Sequence, residues 1–217
     1  MNAIPVTVLI VDDHPLLLNG TVQLVRDHFP SAQISTASTA QETLTRLESQ
    51  AHDLVIVDLS IPNIAGTSAH IDHGLNLLTV LLRQYPELNV MVQSSHIKSL
   101  VRILVEIEDH QGGFTLADKT IATTEFLRRM EWAIAGLTHT KDLQTNLTFK
   151  PEWFETLELA FKEGLQDKAI AQKMHKSERN IRHYWSKIQN ALDIYPEEGK
   201  NLRTMTFIRA RELGLLD

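Results

Sequence analysis

Three aspartates stand directly after short apolar runs that are typical of buried strands. Asp12 and Asp13 follow the run at residues 6–11, and Asp58 follows the run at 54–57. The carboxyl ends of neighbouring parallel strands lie together, so these three carboxylates are expected to share one crevice. Like charges this close are costly without a cation, and oxygen ligands with room for water suit Mg²⁺. The pattern predicts a magnesium site beside a carboxylate that can accept a phosphoryl group.

A serine follows the next strand candidate. Ser94 comes directly after the run at 90–93, where its hydroxyl could donate a hydrogen bond to a phosphoryl group. A single aspartate after a strand is more often a turn former or a helix cap. Three aspartates, each at the correct end of a predicted strand, favour a site over that structural interpretation.

Alternating segments position these residues. Continuous apolar runs rich in β-branched residues are typical of strands buried on both faces, and helical patterns lie between them. Five strands alternating with five helices predict a parallel sheet covered on both faces. The strand candidates are 6–11, 33–37, 54–57, 90–93 and 114–116, and the helix candidates are 16–28, 40–47, 75–84, 100–107 and 122–136.

Charge is distributed unevenly along the 217 residues. The chain has 27 acidic and 21 basic side chains, and a net charge of −6 by itself argues mildly against nucleic acid as a partner. Residues 1–137 hold 8 basic and 15 acidic side chains, whereas residues 138–217 hold 13 and 12. We therefore expect two domains, 1–137 and 151–217, joined by a polar, threonine-rich linker at 138–150.

Composition excludes several classes of site. The chain has no cysteine, which excludes disulfide frameworks, iron–sulfur clusters and zinc sites built on thiolates. No apolar run approaches about 18 residues, and the first residues lack a basic region followed by a long apolar one. We therefore expect a cytoplasmic protein with no membrane partner.

The second part of the chain contains a helix, a short turn and a second helix between residues 162 and 192. Asp167 and Ser177 are the expected caps of these two helices. Residues 168–187 carry six basic side chains against the single Glu178. A basic face on the second helix of such a pair fits insertion into the DNA major groove, although a solvated helix face is the alternative. Arg182 and His183 are candidates for contacts with base edges, and Lys168, Lys176, Arg179 and Lys187 for contacts with DNA phosphates. The predicted DNA-contacting residues are Lys168, Lys176, Arg179, Arg182, His183, Ser186 and Lys187.

Both parts resemble two-component response regulators of the NarL/FixJ class. The resemblance implies a flavodoxin-like, doubly wound, five-stranded parallel sheet, the receiver domain, followed by a small all-α helix-turn-helix domain of the LuxR type. It implies a DNA-binding transcription regulator rather than an enzyme, with a partner histidine kinase and a homodimer. The segments that carry it are Val11-Asp12-Asp13-His14-Pro15, Val57-Asp58-Leu59-Ser60-Ile61-Pro62, residues 164–171, 177–182, 203–204 and 208–216.

The resemblance also assigns roles within the crevice. Asp58 corresponds to the phosphoacceptor, and Asp12 and Asp13 form the acidic pocket with it. Asp13 and the backbone carbonyl of Ser60 would bind Mg²⁺ directly, and Ser94 would be the switch hydroxyl.

Two departures from the family pattern lie near this crevice. The family places a lysine at the end of the fifth strand, where this chain has Ala117. Lys119 follows two residues later, and two interpretations stay open: it is a displaced phosphate-contacting lysine, or it is a surface lysine. Residues 63–73 form an insertion that could cover the site, and its histidines, His70 and His73, leave metal binding there as a minor option.

Two other functions stay open. The departures favour an atypical regulator that works without phosphorylation and whose receiver is a dimerisation or docking module. The carboxylates would also suit a magnesium-dependent phosphatase or phosphotransferase with Asp58 as its nucleophile. That enzyme would need a second set of catalytic residues, which we do not find, and would leave the basic helix without a use.

Overall fold

The computed structural model describes residues 6–143 and 149–216. The chain divides into two compact units, Met1–Gln144 and Thr145–Asp217.

The described part of the first unit is built on one parallel sheet, in the order β2-β1-β3-β4-β5-β6. Every residue of β3 and β5, and all but the first of β1, is buried, because successive side chains pack into apolar clusters on opposite faces of the sheet. This confirms the predicted doubly wound α/β class. The strands are β1 (Thr7–Val11), β2 (Gln33–Ala37), β3 (Leu54–Val57), β4 (Asn89–Gln93), β5 (Phe114–Ala117) and β6 (Thr138–His139).

Helices cover both faces of this sheet. One cluster includes Leu75 and Leu81 of α3, and the other includes Phe126 and Met130 of α5. The stretch 97–107, for which the sequence predicts a helix at 100–107, begins as a 3-10 helix over Ile97–Ile103. The α-helices of this unit are α1 (Pro15–His28), α2 (Ala40–Ser49), α3 (Ile71–Gln84), α4 (Leu104–Glu108) and α5 (Thr123–Ile134).

Residues 138–143 add to this unit, although the sequence predicts a linker there. β6 pairs with β5 through Thr138 and His139, and Leu143 is buried in one of the two clusters. The sheet therefore has six strands in the described residues instead of the predicted five. A two-residue strand in a polar, threonine-rich stretch has too little periodicity to be recognised from sequence.

Helix α3 begins at Ile71, four residues earlier than the sequence predicts, so the end of the 63–73 insertion forms its first turn. The next turn contains Gly74. A Cβ built on Gly74 would lie 2.1 Å from the carbonyl oxygen of Leu59, so only glycine allows this close approach. Since Leu59 follows Asp58, this contact holds α3 against the segment that leaves β3.

The second unit is helical in its described part. α7 and α8 are joined by a short turn in which His175 adopts a positive φ of 52°. The buried side chains of α8 are Ile181, Trp185 and Ile188, which lie on one face of the helix. The helices are α6 (Pro151–Phe161), α7 (Asp167–Lys173), α8 (Glu178–Ala191) and α9 (Leu202–Glu212).

Candidate functional site

The sheet brings Asp12 and Asp58 together. β1 and β3 are neighbours with Val11 opposite Val57, so the next residue of each strand emerges at the same edge. Asp12 is 5% exposed and Asp58 is 3% exposed, which is unusual for carboxylates that lack a partner of opposite charge.

Lys119 supplies that opposite charge. Its Nζ donates to Oδ2 of Asp58 at 2.8 Å and to Oδ2 of Asp12 at 2.9 Å. Burial by itself would lower the pKa of Lys119, but the hydrogen bonds and charges of Asp58 and Asp12 outweigh it and raise the pKa above its ordinary value. The ammonium is therefore charged at neutral pH, and Lys119 is not a surface lysine.

A turn after β5 positions this lysine. The carboxylate of Asp118 accepts hydrogen bonds from the hydroxyl of Thr120 at 2.5 Å and from its N–H at 2.9 Å, and these two bonds lower the pKa of Asp118. Ala117 occupies the place at the strand end where the family has its lysine, yet the turn returns the Lys119 ammonium to the crevice. The sequence leaves this point open because two residues of loop do not fix the direction of a long, flexible side chain.

Asp13 and His14 lie at the same crevice. Nδ1 of His14 is 2.9 Å from Oδ1 of Asp13, and one ligand atom each from Asp12, Asp13, His14 and Asp58 fall within 4.8 Å of one another. Oδ1 of Asp58 is buried and has no hydrogen-bond partner among the described residues. A buried carboxylate oxygen left without a partner, beside two further carboxylates, fits the donor set of a hard divalent cation.

The structure places Ser94 and Ser60 near the same edge. Ser94 is fully buried after β4, its N–H donates to the Ala117 carbonyl at 3.0 Å, and its hydroxyl accepts from the His96 N–H at 3.3 Å. Ser60 is half-buried in the bend after Asp58. The contacts predicted for Ser94 with a phosphoryl group and for the Ser60 carbonyl with Mg²⁺ stay predictions.

The insertion is fixed at its base. Ile61 pairs with His70 in an antiparallel bridge, and the carbonyls of Pro62 and Asn63 accept hydrogen bonds of 3.0 Å from the first two N–H groups of α2. Between these points the residues from 63 to 68 are exposed. Backbone hydrogen bonds therefore hold the base of this loop close to the segment that follows Asp58.

The histidines of the insertion do not form a metal site in the structure. The rings of His70 and His73 meet edge to face, and Nδ1 of His73 is 3.3 Å from the carbonyl of Ile61. In the described part of the chain, potential ligand atoms gather only at the Asp12 crevice, so the minor metal option gains no support.

The seven predicted DNA-contacting side chains are all exposed. Lys168 lies on α7, Lys176 lies in the turn, and the other five lie on α8 outside its buried face. Ser177 is the N-cap of α8, since its hydroxyl accepts from the Asn180 N–H at 3.2 Å, as the sequence predicts. The exposed face of α8 is therefore basic and carries hydrogen-bonding side chains.

A polar clamp behind this face was not found by sequence reasoning. The carboxylate of Asp167 accepts from Nη2 of Arg203 at 2.8 and 3.0 Å and from Nε1 of Trp185 at 3.0 Å. The guanidinium of Arg203 also lies 3.4 Å from the centroid of the Trp185 ring. Burial lowers the pKa of Arg203, and the Asp167 carboxylate works against that shift. The sequence signal for this clamp is Trp185, which lies four residues after Ile181 on the buried face of α8 and whose indole N–H needs a hydrogen-bond acceptor.

The clamp joins α7, α8 and α9 through one residue of each. The sequence suggests Asp167 as the helix cap of α7, but the helix starts at Asp167 with Gln166 as its N-cap. That suggestion is wrong, because the Asp167 carboxylate instead bonds to the two following helices.

No helix in the described ranges is both long and apolar enough to cross a membrane.

Proteins of known name align with almost the whole chain. Residues 8–109 match the response regulator receiver domain family. The chain is 24% identical over 216 residues to the transcriptional regulatory protein YdfI of Bacillus subtilis, covering 96% of this chain and 97% of that one. It is 22% identical over 228 residues to the DNA-binding transcriptional activator DevR/DosR of Mycobacterium tuberculosis, covering 96% and 95%.

Solved structures give the same fold. The structure of the two-component response regulator RcsB in complex with DNA superposes with a TM-score of 0.61 at 18% identity, covering 96% of this chain and 98% of that one. RcsB of Salmonella enterica serovar Typhimurium, bound to promoter rprA in the presence of the phosphomimetic BeF₃⁻, gives 0.60 at 21% identity, covering 94% and 97%.

Proposed function

We propose that the chain is a two-component response regulator of the NarL/FixJ class, with residues 8–109 in its receiver, and that phosphorylation of Asp58 switches it as a DNA-binding transcription regulator. The family is one of transcriptional regulators and not of enzymes. The observation that carries the proposal is the ion-pair cluster in which Lys119 bridges two buried carboxylates, Asp12 and Asp58, at the carboxyl edge of the sheet.

The proposed reaction is transfer of a phosphoryl group from a phosphohistidine of a partner kinase. An oxygen of Asp58 forms the new P–O bond, the P–N bond breaks, and the histidine nitrogen keeps the electron pair and takes up a proton. Asp58 has one buried oxygen without a partner among the described residues, while its other oxygen accepts from Lys119, so the first oxygen can act as the nucleophile.

A cation would complete the site. Asp12, Asp13, Asp58 and the carbonyl of Ser60 would hold Mg²⁺, which neutralises charge on the transferring group. Lys119 would move from bridging two carboxylates to contacting the phosphoryl oxygens, which needs only a rotation of its flexible stem.

Ser94 would pass the change onward. Its hydroxyl accepts from the His96 N–H, and donation to a phosphoryl oxygen would draw the end of β4 toward Asp58. Because the Ser94 N–H also bonds to the end of β5, β4 and β5 would shift together and bias a two-state receiver.

The output domain, which we place at 151–217, would then bind DNA in the cytoplasm as a homodimer. Arg182 and His183 would contact base edges, and Ser186 would support them. Lys168, Lys176, Arg179 and Lys187 would hold phosphates. Exposure of all seven side chains supports this assignment.

The test uses the full chain with Mg²⁺ and BeF₃⁻, a mimic of the phosphoryl group. We expect ¹⁹F NMR to show a bound BeF₃⁻ signal in the wild type and none in Asp58→Asn, with tighter binding to a selected DNA duplex only when the mimic binds. Asp53→Asn, at an exposed carboxylate before β3, is the matched control and should behave as the wild type. DNA binding that is equally tight in the wild type and in Asp58→Asn, with no bound mimic, would instead support the phosphorylation-independent regulator.

A further inference from the structure

The proposed function leaves one residue of the crevice, His14, without a role. Its Nδ1 lies 2.9 Å from Oδ1 of Asp13 and 3.4 Å from Oδ1 of Asp12. Its backbone N–H donates to the same Asp12 oxygen at 2.8 Å, and the following residue, Pro15, begins α1. Backbone and ring are therefore both directed to the carboxylates, although 60% of the side chain is exposed.

The spacing of these atoms suits a shared ion. Two ligands at right angles on an octahedral ion with bonds of about 2.1 Å lie about 3.0 Å apart. The two distances from His14 Nδ1, 2.9 and 3.4 Å, are close to this value, and all four ligand atoms of the group lie within 4.8 Å of one another.

A second, independent observation supports a cation beside His14: the two oxygens of each buried carboxylate have different partners. Lys119 binds the Oδ2 atoms of Asp12 and Asp58 and leaves their Oδ1 atoms to the other side of the crevice. Oδ1 of Asp58 belongs to a side chain that is nearly fully buried, and no described residue gives it a hydrogen bond. A buried carboxylate oxygen in that state needs a cation or a water.

We propose that Nδ1 of His14 is a ligand of the divalent cation, so that the site has one nitrogen ligand beside its carboxylates. Imidazole favours Co²⁺, Ni²⁺ and Zn²⁺, whereas Mg²⁺ prefers oxygen ligands. The site therefore binds a transition-metal ion more tightly, relative to Mg²⁺, than its three aspartates alone would. This inference rests on the proposed function, because it concerns the same cation.

Electron paramagnetic resonance of Mn²⁺ tests it directly on the full chain. The free-ion signal measures bound Mn²⁺, and displacement by Mg²⁺ or Co²⁺ gives the affinity of each at this one site. In His14→Gln we expect the ratio of Co²⁺ to Mg²⁺ affinity to fall roughly tenfold or more. The control His28→Gln, which removes an imidazole–carboxylate pair at the other end of α1, should keep the wild-type ratio.

The spin-echo modulation of bound Mn²⁺ gives a second measurement. Coupling to a directly bound ¹⁴N should be present in the wild type and in His28→Gln and absent in His14→Gln. If Mn²⁺ binds and Asp58 is phosphorylated but the coupling and the ratio are the same in His14→Gln, the histidine ligand is refuted and the proposed function stands. If Mn²⁺ bound to the wild type is unaffected by Asp58→Asn, the cation site itself is wrong and both proposals fall.

Discussion

Replacing Lys119 with methionine should destabilise the receiver when no cation is added. Methionine keeps the length and apolar stem of the side chain but removes the ammonium that bridges Asp12 and Asp58. Both carboxylates are nearly fully buried, so neither can recover its lost partner from bulk water without a rearrangement.

The magnitude follows from the two contacts. Removing one partner of a buried ion pair costs about 3–5 kcal/mol, because the remaining charge is left uncompensated. The crevice is open on the side of Asp13, and 16% of the Lys119 side chain is exposed, so water reduces this cost. We expect the free energy of unfolding of the receiver to fall by about 2–4 kcal/mol.

The measurement is pulsed hydrogen exchange in increasing urea, with peptides from β1 and β3 reporting on the receiver alone. The exposed Lys141→Met is the matched control and should leave the transition unchanged. The pKa of Lys119 is higher in the folded than in the unfolded protein, so its ion pairs stabilise the fold at every pH below the unfolded pKa of about 10.4. This stabilisation is lost as the pH rises through the higher folded pKa. The difference between wild type and Lys119→Met should therefore be constant between about pH 7 and pH 9.

Added Mg²⁺ should reduce the difference in free energy of unfolding between the wild type and Lys119→Met. A competing positive charge is absent in Lys119→Met, so Mg²⁺ should bind the variant more tightly and stabilise it more than the wild type. If Lys119→Met unfolds at the same urea concentration as the wild type without Mg²⁺, the bridging ammonium does not neutralise the carboxylates and our reasoning on this site is wrong.

Three further predictions concern packing, the clamp and DNA. Gly74→Ala should lower the free energy of unfolding of the receiver by about 1–3 kcal/mol, since its Cβ would overlap a backbone carbonyl. The control Gly20→Ala in α1, whose Cβ would have nothing within 4 Å, should raise that free energy by about 1 kcal/mol. Equal urea midpoints for these two variants would contradict the prediction. Arg203→Met should lower the stability of the second unit by about 2 kcal/mol, because it removes two hydrogen bonds to Asp167. The measurement is the melting temperature of this unit, which should fall. An unchanged melting temperature would show that the clamp contributes nothing to stability. Lys187→Ala should reduce the slope of log K against log salt for DNA by about 0.9, and an unchanged slope would remove this residue from the phosphate contacts.

The sequence alone determined the fold class and most of the crevice. Buried parallel strands read as continuous apolar runs, and the residue after such a run must emerge at the carboxyl edge of the sheet. Asp12 and Asp58 can therefore be paired from the strand pattern by itself. The helix-turn-helix was equally accessible, because the period of Ile181 and Ile188 and the N-cap Ser177 are local properties of the chain.

The tertiary structure alone decided the features that depend on contacts distant in sequence. The place of Lys119 depends on a turn after β5 and on two carboxylates 61 and 107 residues away. The clamp of Arg203 on Asp167 spans 36 residues and three helices. Pattern and propensity describe only neighbours along the chain, so a long side chain whose partners come from other elements acquires its position only when those elements pack together.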